Sequence, residues 1–219
     1  MNVKKMSLRQ KVGQLMMVGF PGSEPSADIL RMIEDEHVGG IILFGRNIGT
    51  PEDVLRLTTD LQTTAKKAGH PLPLFLSIDQ ENGVVRRLGE GTTVFPGNML
   101  LGAVNNEQVT LIVAKATAEE LKGLGINMNL APVLDVNNNP RNPVIGVRSF
   151  AESPDDVTRH GLASISGHQQ AGVMTTAKHF PGHGDTDTDS HLALPTISHD
   201  LERLKKVELP PFEKAIEAG

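Results

Sequence analysis

Val173-Met174-Thr175-Thr176-Ala177-Lys178-His179 passes from an apolar, β-branched run into a charged one within two residues. The run reads as a buried strand. Lys178 and His179 then fall at its carboxyl end, where α/β proteins place their active sites. The polar stretch continues as Phe180-Pro181-Gly182-His183-Gly184-Asp185-Thr186-Asp187-Thr188-Asp189-Ser190-His191. From Asp185 onward the acids and His191 are two apart and share one side if the backbone is extended. Such a row suits proton transfer, metal binding or the grip on a polyhydroxylated ligand. The plain alternative is a solvated acidic loop with incidental histidines.

Working outward, residues 12–20, 39–44, 72–78 and 126–133 form four more apolar runs that read as strands. Helices are predicted between and after them, over 27–36, 50–69, 107–124, 153–171, 199–207 and 211–218. Their starts carry local signals: Ser26 as a cap, Thr50-Pro51-Glu52-Asp53, and Ser153-Pro154-Asp155-Asp156. Five strands alternating with helices fit an open doubly wound sheet or part of an eight-stranded barrel. After the first strand, Phe20-Pro21-Gly22-Ser23 has neither a dinucleotide glycine spacing nor a phosphate-loop lysine. Polar groups follow several strands: Asp79 and Glu81, then Asp135 and Arg148, then Lys178 and His179. A barrel gathers such ends at one mouth. The expected fold class is therefore α/β, a TIM (β/α)8-type barrel. It is expected to be incomplete here, because 219 residues give five strands where a full barrel takes about 250 residues. Residues 1–219 are expected to form the amino-terminal part of a single barrel domain. The long connections 88–106 and 135–150 point to binding.

A formal net charge of −5 and dispersed basic residues without interleaved aromatics argue against nucleic acid and anionic membranes as partners. The absence of Cys excludes disulfides, zinc-thiolate sites and a cysteine nucleophile, and leaves the redox compartment open. The first residues lack the apolar run of a signal peptide, and no apolar stretch is long enough to cross a bilayer. The expectation is a cytoplasmic chain, or an extracytoplasmic one if a leader was removed.

Asp79 and Glu81 share a face in extended backbone, and a carboxylate there can accept two sugar hydroxyls or balance a cation. Arg87 and Arg148 can clamp a carboxylate, a phosphate or ring hydroxyls, and Lys178 and His179 add donors. The plain alternative is that Asp79 and Arg87 pair with each other. A histidine has an intrinsic pKa near neutrality, and Asp189 can orient His191, which makes a movable acid/base. Its bland counterpart is a histidine packed above Leu192-Ala193-Leu194. A metal reading would use His179, His183 and Asp185, without the fixed offsets of the stronger metal motifs.

The motifs together resemble the amino-terminal barrel domain of family 3 glycoside hydrolases, most closely the bacterial β-N-acetylglucosaminidase (β-N-acetylhexosaminidase) branch. They are Gly13-Gln14-Leu15, Gly39-Gly40-Ile41-Ile42-Leu43-Phe44, Ile78-Asp79-Gln80-Glu81, Val85-Arg86-Arg87-Leu88 and Phe95-Pro96-Gly97. Asn127-Met128-Asn129-Leu130-Ala131-Pro132-Val133-Leu134-Asp135-Val136, the stretch Asn142 through Phe150, and Lys178 through Thr186 complete them. The ending Asp189-Ser190-His191 separates this branch from the β-glucosidases of the family. The resemblance implies that Asp79, Arg87, Arg148, Lys178 and His179 hold a terminal N-acetylglucosamine. It implies that His191, assisted by Asp189, is the acid/base of a retaining mechanism, with no metal or cofactor. The substrates implied are peptidoglycan fragments or chitin oligosaccharides. Asn82 and Ala151 stand where relatives often have glycine, so local adjustment is expected. The nucleophilic aspartate of the family is expected beyond residue 219; Glu208, Glu213 and Glu217 belong to the helices before it. The chain alone is thus expected to be inactive, and to need the missing barrel units in cis or to self-associate through its unpaired edges. Outside this reading stand a metal-dependent barrel hydrolase and a noncatalytic sugar-binding or scaffold protein.

Overall fold

Local capping chemistry starts most of the helices, and short parallel strands separate them. The computed structural model describes residues 3–188, 192 and 194–219. Among these, eight α-helices and five strands alternate along the chain in an α/β fold. This is the pattern of the opening units of a (β/α)8 barrel. No helix among the described residues is long and apolar enough to cross a membrane.

The chain divides into two compact units. The first holds residues 1–79, 87–92 and 120–129. It contains helix α1 (Leu8–Gln14), strand β1 (Met17–Val18), α2 (Ala27–Glu34), β2 (Gly40–Leu43), α3 (Pro51–Lys67) and β3 (Phe75–Ile78). β1 pairs with β2 and β2 with β3, both parallel, with Ile41 opposite Leu76 and Leu43 opposite Ile78. All four of those side chains are fully buried, as expected of parallel strands covered on both faces. α3 begins with a complete capping box between Thr50 and Asp53, with Pro51 at its first position.

The first strand is shorter than the pattern of 12–20 suggested. Ser7 and Gln10 form a capping box, with Ser7 Oγ accepting from Gln10 N at 3.2 Å and Gln10 Oε1 accepting from Ser7 N at 2.9 Å. That local stabilisation draws Leu8–Gln14 into α1 and leaves only Met17–Val18 to the sheet.

The second unit holds residues 80–86, 93–119 and 130–219. It contains α4 (Asn98–Val104), which lies within the long connection 88–106, and most of α5 (Glu107–Gly123). β4 (Met128–Asn129) belongs to the first unit and pairs in parallel with β3. The second unit continues with α6 (Pro154–Ala171), β5 (Met174–Thr175), α7 (Leu201–Lys206) and α8 (Pro210–Ala218). Residues 131–134 run parallel to 176–178, through Thr176 N to Ala131 O, Lys178 N to Pro132 O, Leu134 N to Lys178 O and a Val133–Lys178 bridge. Pro132 has no N–H, so the ladder is interrupted and the regular strands are shorter than their apolar runs. Leu134, Val136, Phe150, Val157, Ile165 and Phe212 form this unit's buried apolar cluster.

Candidate active site

The polar groups of the second unit meet at Glu81. Its backbone N–H donates to Val85 O at 3.0 Å, and Asn82 and Gly83 turn the chain with φ of 68° and 58°. Asparagine is among the few non-glycine residues that enter this region readily, so the departure at 82 is accommodated in the turn itself. Asn82 Nδ2 donates to Thr117 Oγ1 at 3.0 Å.

The Glu81 side chain is 2% exposed and receives two cations. Arg148 enters as a bidentate fork, Nε to Oε2 and Nη2 to Oε1, both at 2.8 Å. Lys178 Nζ lies 2.7 Å from Oε1. Burial by itself would raise the Glu81 pKa, but the Arg148 hydrogen bonds and the Lys178 charge outweigh it and hold the carboxyl below its ordinary range. Arg148 closes a 3-10 turn, Gly146–Arg148, and is fixed from behind. Its Nη1 donates to Val144 O at 3.2 Å, and its carbonyl accepts from Asn98 Nδ2 at 2.7 Å.

Asp135 is completely buried and organises the histidines. Oδ1 accepts from the backbone N–H of His179 at 3.2 Å and of His183 at 2.7 Å, and Oδ2 lies 2.6 Å from His179 Nδ1. His179 Nε2 lies 3.2 Å from Arg148 Nη2. Arginine only donates, so Nε2 is the acceptor and the ring proton sits on Nδ1, directed at Asp135. His183 Nδ1 lies 2.6 Å from Thr186 Oγ1, and burial lowers the pKa of its ring against the opposing influence of Asp135.

Asn142 ties the two loops together. Its Nδ2 donates to His183 O at 2.7 Å and Gly184 O at 3.1 Å, while Oδ1 accepts from Val144 N at 2.9 Å and Ile145 N at 2.7 Å. This close approach requires Gly184, because a Cβ there would stand 1.8 Å from Val136 O, a backbone atom that no rotamer change can move. Gly184→Ala is expected to cost roughly 1–3 kcal/mol in urea unfolding. Gly89→Ala, whose Cβ meets nothing within 4 Å, serves as the reference. Equal stability of the two variants would show that the 183–186 turn is not packed against Val136.

Arg148, Lys178 and His179, three of the expected sugar-holding residues, thus converge around Glu81 and Asp135. Asp79 and Arg87 belong to the first unit, where Arg87 Nη2 lies 3.7 Å from Asp79 Oδ2 in the mutual pairing weighed above. Asp189 and His191, the expected acid/base pair, lie outside the described residues. The metal reading loses its geometry: His179 turns to Asp135 and Arg148, His183 to Thr186, and Asp185 to His199 at 2.6 Å. Among the described residues no group of three His, Cys, Asp or Glu side chains is arranged to hold a metal ion. Sequence reading underrated Glu81 and Asp135 and passed over Asn142. The available signal was Asp135 itself, an acid inside the apolar run Val133-Leu134-Asp135-Val136.

Comparison with known proteins places these residues in context. The family model described as the glycosyl hydrolase family 3 N terminal domain matches residues 7–219. A β-N-acetylglucosaminidase of glycoside hydrolase family 3 from Paenibacillus is 52% identical, with a TM-score of 0.95 over 98% of this chain and 40% of its own. NagZ from Neisseria gonorrhoeae, solved in complex with N-trifluoroacetyl-D-glucosamine, is 32% identical, with a TM-score of 0.86 over 93% of this chain and 60% of its own. A protein named β-hexosaminidase A from Pseudoalteromonas piscicida is 42% identical over 96% of this chain and 38% of its own length. The chain therefore spans between 38% and 60% of the length of these relatives.

Proposed function

Because the chain belongs to the glycosyl hydrolase family 3 N terminal domain family, we propose that it supplies the sugar-holding and proton-transferring half of a retaining exo-glycosidase. The enzyme removes terminal β-linked N-acetylglucosamine from peptidoglycan fragments or chitin oligosaccharides. Asp79, Arg87, Arg148, Lys178 and His179 hold the terminal sugar. His191, oriented by Asp189, protonates the leaving oxygen and then takes a proton from the incoming water. The nucleophilic aspartate that forms the glycosyl-enzyme comes from outside these 219 residues.

The observation that carries this reading is the cradle around Glu81. Among the described residues, Arg148 and Lys178 are both paired with Glu81, and His179 with Asp135, so each fixed donor sits beside a fixed carboxylate. A site for phosphate or carboxylate would leave net positive charge facing the ligand, whereas a neutral sugar needs donors and acceptors without it. Arg148 and Lys178 are held by a carboxylate that is itself out of solvent, and their side chains remain 13% and 12% exposed. Such fixed donors favour one orientation of a ring.

The test is stereochemical. The full-length polypeptide is mixed with 4-nitrophenyl β-N-acetylglucosaminide, and the first-formed anomer is read by proton NMR before mutarotation. The β-anomer is expected. Release of the α-anomer refutes retention, and binding of N-acetylglucosamine without release identifies a noncatalytic sugar-binding protein. The 219-residue chain alone is expected to bind the sugar and release no nitrophenol.

A further inference from the structure

The fork between Arg148 and Glu81 joins turns 67 positions apart in the chain, and one short helix touches the backbone beside each. At its start, Gly97 caps α4 and rests on Gly83, two residues after Glu81: a Cβ on Gly97 would stand 3.1 Å from Gly83 Cα. Asn98, the first residue of α4, is 8% exposed and its Nδ2 donates to Arg148 O at 2.7 Å. Gly102 lies four residues on and shares that face of the helix. A Cβ there would collide with Phe150 O, so the helix lies flush against the chain just after Arg148. Leu101 and Phe150 belong to the same buried apolar cluster.

An arginine side chain has several rotatable bonds, and its rigid fork meets a carboxylate bidentately only where the two backbones stand at a matching separation. Both arms of this fork are 2.8 Å long, and a shift of about 1 Å would take either beyond hydrogen-bonding length. Side-chain freedom alone does not set that separation. A helix does, because it rises about 1.5 Å per residue and holds Gly97 and Gly102 about 7.5 Å apart along its axis. From the other side, Ser149 is completely buried and its Oγ donates to Asp135 O at 2.6 Å. The turn that carries Arg148 is thus pinned between α4 and the acid that holds His179.

We propose that α4 is a spacer that fixes Arg148 relative to Glu81, and that Asn98 is a positioning residue that aims the Arg148 guanidinium at the sugar. The inference rests on the assignment of Arg148 to sugar holding made above. Asn98 acts through the carbonyl of Arg148. A carbonyl only accepts, so the amide must present its NH2 group to it. A carboxylate in its place sets acceptor against acceptor until it is protonated, when its O–H restores the bond. Burial favours that neutral form by raising the pKa of an acid at this position.

The experiment is calorimetry of N-acetylglucosamine binding to the full-length polypeptide, with urea unfolding run beside it to establish that each variant is folded. Asn98→Ala is expected to bind about tenfold more weakly than wild type. Asn98→Asp is expected to be about tenfold weaker at pH 8 and to recover to within about threefold at pH 5, each compared with wild type at the same pH. Glu81 stays ionised over that range, because its folded pKa lies below 4.5. The Asn98→Asp comparison decides alone if Asn98→Ala does not fold. Leu100→Ala, at a 59% exposed position of the same helix, is expected to bind as wild type does. Asn98→Ala binding within twofold of wild type, an Asn98→Asp deficit equal at both pH values, or an equal loss in Leu100→Ala overturns the spacer. Arg148→Lys, which keeps the charge without the fork, is expected to bind at least about tenfold more weakly. If it does and the Asn98 variants do not, the spacer alone is wrong. If Arg148→Lys binds as wild type does, the sugar-holding assignment fails and the spacer falls with it.

Discussion

Glu81→Ala is expected to lower the unfolding free energy by about 3–5 kcal/mol at neutral pH, because removing one member of a buried ion pair leaves the others uncompensated. Here two cations lose a shared carboxylate at once. Arg148 loses both arms of its fork and Lys178 loses its contact at 2.7 Å, in surroundings where the Glu81 side chain is 2% exposed. Glu81→Gln keeps the shape and one acceptor oxygen, so it is expected to cost less than Ala and more than 1 kcal/mol. The pH dependence has a definite sign. The folded-state pKa of Glu81 lies below its ordinary value of 4.5, so its contribution is fully present above that value and is lost as pH falls through the folded pKa. The stability gap between wild type and Glu81→Gln should therefore be constant from neutrality to about pH 5 and shrink below it. Urea unfolding at several pH values measures this. A loss below about 1 kcal/mol in Glu81→Ala would mean that Arg148 and Lys178 find other partners, and the cradle would no longer be organised by this acid.

The opposite of such a long-range hub is a feature written within a few residues, and those features were the legible ones. Thr50-Pro51-Glu52-Asp53 and Ser153-Pro154 start helices because the cap, the ring constraint and the first-turn acids act locally. Residues 39–44 read as a covered strand because both faces are apolar, and β2 is found there. Where two local signals competed, the apolar pattern misled. The run 12–20 suggested a strand, yet the capping box at Ser7 and Gln10 takes its first part into a helix. Pro132 was visible in the sequence, but its effect on the ladder depends on which neighbour needs its N–H.

Among site residues the same division holds. Lys178, His179 and Arg148 were legible as polar groups at the ends of apolar runs, and they do meet. What joins them was not legible. Glu81 reaches Arg148 across 67 positions, and Asp135 reaches His179 across 44. Pairings of that separation leave no periodicity in a single sequence. The expectation that Lys178 and His179 act simply as donors also missed a constraint. A ring between Asp135 and a guanidinium must accept on Nε2, so the group it offers is set by its neighbours rather than by its residue type.

That constraint makes Asp135→Asn the sharpest single change in the site. The amide is isosteric, but one of its two polar atoms donates. With the amide oxygen toward the backbone N–H groups of His179 and His183, the NH2 group faces His179 Nδ1, now 2.6 Å from a carboxylate oxygen. Nδ1 must then give up its proton and accept, which moves the proton to Nε2 and sets it against Arg148 Nη2 at 3.2 Å, donor against donor. Flipping the amide instead puts the NH2 group against two backbone donors. Neither orientation satisfies every group, and a charge-assisted set of hydrogen bonds is lost around a completely buried side chain. The expected loss is about 3 kcal/mol or more in unfolding free energy, with at least about a tenfold weaker affinity for N-acetylglucosamine by calorimetry. The diagnostic signal is the His179 tautomer: nitrogen-15 NMR should show the proton on Nδ1 in the wild-type chain and on Nε2 in Asp135→Asn. If the proton stays on Nδ1 and the affinity is unchanged, His179 is not oriented by Asp135, and its part in holding the sugar has to be sought in a different contact.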